Sequence, residues 1–330
     1  MPTEHVQLAE EHAGLRLDVA LATCFPSKSR SQIRKAIDGG LVLLDGKIVK
    51  AGAGVRAGQV VQISWQEIQA PRARPGELSI IYEDGELVAI DKPAGVVVHP
   101  TFRGEPSLVD VLLHHTNGQL ANGQDLLRPG VVHRLDRDTT GVLLFAKSGE
   151  ALIALQKQFQ RRCVEKLYHA VVAGHLNRSH GIINYPIGRD LHRRTRMAIR
   201  PDGRPARSDW EVLLHCAESW SHLAVRIHSG RTHQIRVHLA AIGHPILGDR
   251  TYGDRQSNSL PSIPRMLLHA AELRCRHPMT GQPLTLRAPI PEDLLAFVAS
   301  GQIRQEPVAL AAEKKCNGNG DLADGFDGKE

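Results

Sequence analysis

The nine residues from His133 to Gly141 read HRLDRDTTG, placing two arginines, two aspartates, a histidine and two threonines between Val131-Val132 and the apolar run Val142 to Phe145. Charge between two apolar runs is either a solvated turn or a group in use. A carboxylate on such a loop can act as a nucleophile or a proton acceptor, provided that a neighbouring cation keeps it ionised when it is buried. Three more islands share this texture: DKPAGVVVHP (91–100), EKLYHAVVAG (165–174) and SGRTHQIRVHLAAIGHPILGD (229–249), with LLHAAEL (267–273) as a fainter one. Polar residues set among glycine, proline and apolar positions suit a pocket built on loops between strands.

Other chemistries lack their residues. No G-x-G-x-x-G or phosphate-binding G-x-x-x-x-G-K-[ST] occurs, so no nucleotide cofactor is expected. The five cysteines are odd in number and never spaced as C-x-x-C, and the 18 histidines form no H-E-x-x-H, so neither a disulfide framework nor a metal site is expected.

The charge points to a polyanion. The net charge is +6, and its distribution is uneven: residues 14–74 hold 10 basic and 4 acidic side chains, while the two ends are acidic. Of the 28 basic residues in 75–312, 24 are arginine, whose planar fork suits phosphate contacts and base stacking. Seven arginines against two aspartates lie between Arg189 and Arg207, which predicts a basic hairpin. The acidic start lacks a signal-peptide pattern and no apolar run is long enough to span a bilayer, so a cytoplasmic protein with no membrane partner is expected.

The elements that must carry these islands follow from periodicity. LRLDVALATCF and SRSQIRKAIDGG predict two short helices, the second opened by serine and closed on Gly39-Gly40; LVLLDGKIVK predicts a hairpin turned at Asp45-Gly46, and AGQVVQISW a further strand. QAPRARPGE reads as a linker. Beyond it, LSIIYEDGELVAIDKPAG predicts a hairpin with Asp84-Gly85 at its tip. Strands are expected at VLLFAK, KLYHAVVAG, SDWEVLL, HLAVRIHSG and LTLRAPI, and helices at SLVDVLLHH, ALIALQKQFQRR and RTHQIRVHLAAIG. Hairpin connections without a steady βαβ rhythm give an α+β class with a mixed, largely antiparallel sheet. The expected boundaries are 14–70 for the small first domain, 71–77 for the linker, 78–304 for the second domain and 305–330 for a disordered tail.

Two resemblances sharpen this reading. SRSQIRKAIDGGLVLLDGKIVK resembles the small RNA-binding module named after the fourth ribosomal protein of the small subunit, the alpha-L motif. That resemblance implies that Arg30, Arg34 and Lys35 on the second helix meet RNA backbone. The motifs H-R-L-D-x-x-T-[ST]-G, D-K-P-x-G-x-x-x-H-P, K-x-Y and G-R-T-H-Q-I-R-x-H, in this order over about residues 14–300 together with the module, resemble the RluA-type pseudouridine synthases. Within them the similarity is greatest to the branch acting on large-subunit ribosomal RNA.

The resemblance implies an isomerase that needs no cofactor. Its partner would be large-subunit ribosomal RNA or a pre-ribosomal particle. Asp136 corresponds to the catalytic aspartate, Arg231 to the arginine that pairs with it, Tyr168 to the tyrosine packed on the flipped base, and Arg134 to the arginine filling the gap left in the RNA stack. Arg193, Arg194 and Arg196 are expected to grip RNA. Arg137, Asp138 and the threonines are expected to form the turn, Asp91 and Lys92 to hold the DKPAG loop, the histidines to be hydrogen-bonded scaffold, and the apolar flanks of HRLDRDTTG to be rigid strands. The alternatives are a transfer-RNA pseudouridine synthase, a non-catalytic RNA-binding or ribosome-assembly factor, and a histidine-zinc hydrolase.

Overall fold

The computed structural model of the chain describes residues 3–300 apart from 29, 66–69, 102–104, 124, 194, 217–219, 254–262 and 264, so Arg194 and the expected disordered tail lie outside the described residues. The chain divides into two compact units, Met1–Lys166 with His269–Ile290, and Leu167–Leu268 with Pro291–Glu330.

The first unit opens with a small module. It comprises β1 (Thr3–Gln7), α1 (Leu17–Cys24), α2 (Arg30–Asp38), β2 (Val42–Leu44), β3 (Lys47–Ile48) and β4 (Val60–Ser64), with sheet order β1-β4-β2-β3. The hairpin turns where Asp45 and Gly46 both adopt positive φ, 49° and 76°, as the Asp-Gly pair predicts. On α2 the i, i+4 pair Ile33 and Ile37 is buried with Leu17, Leu21, Val42, Val61 and Ile63, while Arg34 and Lys35 face solvent. Each such aliphatic side chain contributes roughly 1.5–3 kcal/mol when buried, so this small core rests on a handful of residues. β1 lies ahead of residue 14. Its polar TEHVQ pattern gives no apolar alternation, and its place is fixed by pairing with β4, Thr3 opposite Ser64.

Residues 70–79 form neither helix nor strand. Two of their amides donate to Asp110, Arg72 N–H to Oδ1 at 2.7 Å and Arg74 N–H to the carbonyl at 3.0 Å.

The rest of the first unit is built from β5 (Ile80–Glu83), β6 (Leu87–Lys92), α3 (Leu108–His115), β7 (Thr140–Ala146), α4 (Gly149–Gln160), the start of β8 (Glu165–Ala173), β14 (Leu268–Arg276) and β15 (Pro283–Arg287). The strands run β5-β6-β7-β14, with β15 on β14. All these pairs are antiparallel except β7 with β14, which is parallel at Thr140–His269 and Ala270–Gly141. Every residue of β7 is buried, which a continuous apolar run predicts for a strand covered on both faces. Serines stand at the start of both helices: Ser107 donates its N–H and its hydroxyl to Asp110 Oδ2 on α3, and Ser148 Oγ accepts the Ala151 N–H on α4.

The second unit continues β8 from Leu167 and adds β9 (His180–Ile183), β10 (Ile187–Arg189), β11 (Met197–Ile199), β12 (Ser208–Cys216), β13 (Trp220–Ile227), α5 (Gln234–Ala241) and α6 (Glu292–Ser300). Its strands run β8-β13-β12-β9, all antiparallel, and β10 and β11 form a separate hairpin within the arginine-rich segment. The α+β class with a mixed, largely antiparallel sheet is therefore observed. Among the described residues no helix is long and apolar enough to cross a membrane.

Candidate active site

The HRLDRDTTG loop is held from inside by one ammonium. Lys92, at the end of β6, is fully buried, and its Nζ donates to the carbonyls of Pro93 (2.8 Å), Arg137 (2.7 Å) and Thr139 (3.0 Å). An ammonium has three donors, and carbonyl acceptors are what a buried donor group needs. Lys92 thus serves the 136–139 turn more than its own DKPAG loop. The two loops are further clipped by Gly95 N–H to the Arg137 carbonyl and by Arg137 Nε to the Gly95 carbonyl, each 2.9 Å. The turn itself closes with Thr139 N–H on the Asp136 carbonyl at 3.2 Å, leaving Arg137 and Asp138 exposed at its tip as expected.

The flanks differ from the expectation of two strands. Only the C-terminal flank, β7, is a strand; Val131 makes a single bridge to Phe145. The physical reason is that β7 meets β14 only at its first two residues, so the 131–133 segment covers the remaining edge instead. Leu144 N–H donates to His133 Nε2 at 3.0 Å, so this ring accepts through Nε2. His133 is stacked on Phe159 of α4 at 5.0 Å, and Lys166 Nζ lies 5.7 Å from the Phe159 centroid. Burial pushes the His133 pKa down to about 3, with Lys166 adding to the effect, and burial also lowers Lys166 to about 8. His133 is therefore neutral scaffold in the ordinary pH range.

Within the loop, Leu135 is the buried anchor, Arg134 projects to solvent, and Asp136 is partly exposed. His99, in the upstream island, is pushed down to about 4 by burial and then by Arg128 and Arg134. The far end of the loop is fixed by Thr140 Oγ1 and His269 Nδ1, 2.9 Å apart, which gives the faint LLHAAEL island its role. Next to it, Gly141 has φ 110°, and a Cβ there would stand 2.2 Å from the Ala270 carbonyl oxygen. Gly141→Ala is expected to lower stability by roughly 3 kcal/mol or more through strain and forced separation of β7 from β14, read as a fall in the urea midpoint.

In the second unit, Tyr168 lies in β8, 7% exposed and opposite Val225 of β13. Arg231 follows the end of β13, so it leaves from the same end of that ladder. Its backbone is set by Gln234, whose Oε1 accepts the Arg231 N–H (3.1 Å) and the Ser229 hydroxyl (2.8 Å), while Gln234 Nε2 donates to the Arg207 carbonyl (2.9 Å). The Arg231 Nε donates to the Pro205 carbonyl at 3.2 Å. His233 then takes a left-handed φ of 56° where the chain enters α5. Arg134 and Asp136 thus share one loop in the first unit, and Tyr168 and Arg231 share one ladder end in the second.

Arg34, Lys35 and Arg193 are exposed. Arg30 is partly committed within the module: Nη2 lies 3.0 Å from Asp18 Oδ2, and Arg16 Nε is 3.0 Å from Asp18 Oδ1. Burial by itself would raise the Asp18 pKa, but the hydrogen bonds from the two guanidiniums outweigh it and hold the carboxyl below its usual value. In the basic hairpin, Asp190 shapes the turn by accepting the His192 and Arg193 N–H groups at 2.8 and 2.9 Å, and Arg196 stacks over Tyr252 at 4.9 Å. Among the described residues no group of three or more His, Cys, Asp or Glu side chains could hold a metal ion.

Sequence reasoning missed Gln234, Tyr252 and the reach of Lys92. Gln234 was legible in principle, as the polar residue opening a helix after G-R-T-H. Tyr252 carries no motif.

Comparison with known proteins gives a consistent picture. The family model for RNA pseudouridylate synthase matches residues 86–241, and that for the S4 domain matches residues 15–61. The chain is 38% identical over 313 residues to the ribosomal large subunit pseudouridine synthase D of Nitrosomonas europaea, covering 90% of this chain and 87% of that protein. It is 44% identical over 288 residues to an uncharacterized RNA pseudouridine synthase of Chloroflexus aurantiacus, covering 84% and 87%. Among solved structures, human RNA pseudouridylate synthase domain containing 1 matches with a TM-score of 0.59 and 28% identity over 72% of this chain and 94% of that one.

Proposed function

The chain belongs to the RNA pseudouridylate synthase family and carries an S4 domain, and from this premise we propose that it converts uridines of large-subunit ribosomal RNA to pseudouridine in the cytoplasm. Its class of activity is isomerisation: the N1–C1' bond breaks, the base turns, C5–C1' forms, the proton leaves C5, and N1 ends protonated. In our reading Asp136 is the carboxylate that engages the target nucleotide and Arg231 is the cation serving that step. Tyr168 packs on the flipped base, and Arg134 occupies the space the nucleotide vacates. One closed pocket suffices because the uracil is never released.

Neither C1' nor C5 is reachable in a stacked helix, so the nucleotide must be flipped at a cost of a few kcal/mol. Contacts away from the reacting atoms must offset that cost. The exposed Arg34 and Lys35 of α2 and the arginine hairpin are our candidates for those contacts. Arg193→Ala is expected to weaken RNA binding about equally for all sequences and to reduce the slope of log K against log salt by roughly 0.7–0.9. An unchanged slope in a filter-binding titration would remove Arg193 from the interface.

The observation that carries the substrate reading is the 38% identity to a ribosomal large subunit pseudouridine synthase D over 90% of the chain. Mapping pseudouridines in cells with and without the gene tests it. Loss of large-subunit ribosomal sites supports the reading. Loss confined to transfer RNA would replace it with the second substrate class.

A further inference from the structure

We propose that Tyr252 is a positioning residue for Arg231, locking the arginine hairpin and the entry to α5 into one rigid piece, so that the RNA grip and the catalytic arginine keep a fixed relation. The proposal rests on the reading of Arg231 given above. The phenol oxygen of Tyr252 accepts the N–H of Met197, the first residue of β11, at 2.8 Å. That leaves its own proton to be donated to His233 Nδ1, also at 2.8 Å. One hydroxyl therefore joins the hairpin to the residue two positions beyond Arg231.

The ring is equally tied. Its faces take the Arg196 guanidinium of the hairpin at 4.9 Å and the Arg236 guanidinium of α5 at 5.1 Å. Arg236 is itself fixed by a buried two-bond pair with Asp249, at 2.7 and 2.9 Å, and Asp249 Oδ1 also accepts the N–H groups of Thr251 and Tyr252. A second tie runs parallel: Ile187 of β10 exchanges both backbone bonds with Arg204, and the next residue, Pro205, gives its carbonyl to Arg231 Nε. The left-handed backbone of His233 is less favourable than the right-handed one for a residue carrying a Cβ, and neighbouring bonds help to hold it. The Tyr252 hydroxyl makes such a bond. Misplacement of a catalytic group by about 1 Å can cost on the order of a hundredfold in rate, so a loosened His233 has a kinetic signature.

The test is a double-mutant cycle with Tyr252→Phe and His233→Asn, measured as single-turnover pseudouridine formation at saturating RNA, with RNA affinity and thermal midpoint recorded for each variant. Phenylalanine keeps the ring stacks and loses only the hydroxyl, while asparagine keeps the left-handed backbone and loses the imidazole. Each single variant is expected to remain folded, to bind RNA within about threefold of the native chain and to react roughly tenfold or more slowly; the double variant is expected to be no slower than the slower single, because both cut one bond. Rates equal to the native chain in the single variants, or losses that multiply in the double variant, overturn the proposal. Should Tyr252→Phe fail to fold, the rate and affinity of His233→Asn decide it. Failure of the native chain to form any pseudouridine would instead overturn the functional reading.

Discussion

Asp136→Asn is expected to bind RNA within about twofold of the native affinity and to lose pseudouridine formation by about 10,000-fold, the scale on which removal of an acting catalytic group is felt. The substitution keeps size and shape and removes only the negative charge. Its backbone carbonyl still closes the turn with Thr139, and Lys92 still binds the carbonyls of Arg137 and Thr139, so the loop is expected to keep its form. Loss of rate with preserved affinity would therefore locate the defect in chemistry rather than in docking. Quantifying pseudouridine by mass spectrometry after single-turnover reaction checks this. Turnover within tenfold of the native chain would remove Asp136 from the mechanism. A chain that acted only as a ribosome-assembly factor would show no dependence on this carboxylate at all.

The second large effect concerns Lys92. Lys92→Met preserves length and apolar volume but takes the ammonium from three carbonyls, of which that of Arg137 keeps the Gly95 N–H. Unpaired buried carbonyls cost roughly 1–3 kcal/mol each, less whatever water enters, so a net loss of about 3–5 kcal/mol is expected. For a domain of this size that corresponds to a fall in Tm of roughly 10 °C. Activity should fall further than stability explains, because the released segment is the one carrying Asp136. Thermal unfolding and single-turnover rates measured well below the new Tm separate the two. Native stability in this variant would show that the loop is held by Gly95, Leu135 and His269 without the ammonium.

Much of the fold was legible because its cues are local. Asp45-Gly46 turns as its residues predict, Asp84-Gly85 lies in the connection between β5 and β6, Ser107 and Ser148 precede their helices, and Ile33 with Ile37 marks the buried face of α2. What was not legible depends on partners far along the chain. β1 is polar and is a strand only because β4 accepts it. Val131-Val132 resembles a strand in composition but makes one bridge, since the Leu144 N–H is taken by the His133 ring rather than by a backbone carbonyl. Of the site, the loop with Arg134 and Asp136 and the segment with Arg231 were readable as motifs. The supports were not fully so: Lys92 reads as a brace of its own DKPAG loop until its acceptors, 45 and 47 residues away, are known. Tyr252 likewise gains meaning only from Met197 and His233.

The bond between Thr140 and His269 spans 129 residues of chain, and the same strand, β14, supplies the carbonyl against which Gly141 is fitted. A ribosome adding 5–20 residues per second needs roughly 6–26 s to make that intervening stretch. During that interval the emerging polypeptide holds the carboxylate-bearing loop without its distal brace. The capacity to modify RNA should thus appear late in synthesis, after the segment containing His269 has left the ribosome, so a nascent chain would handle the RNA around it before it could alter it.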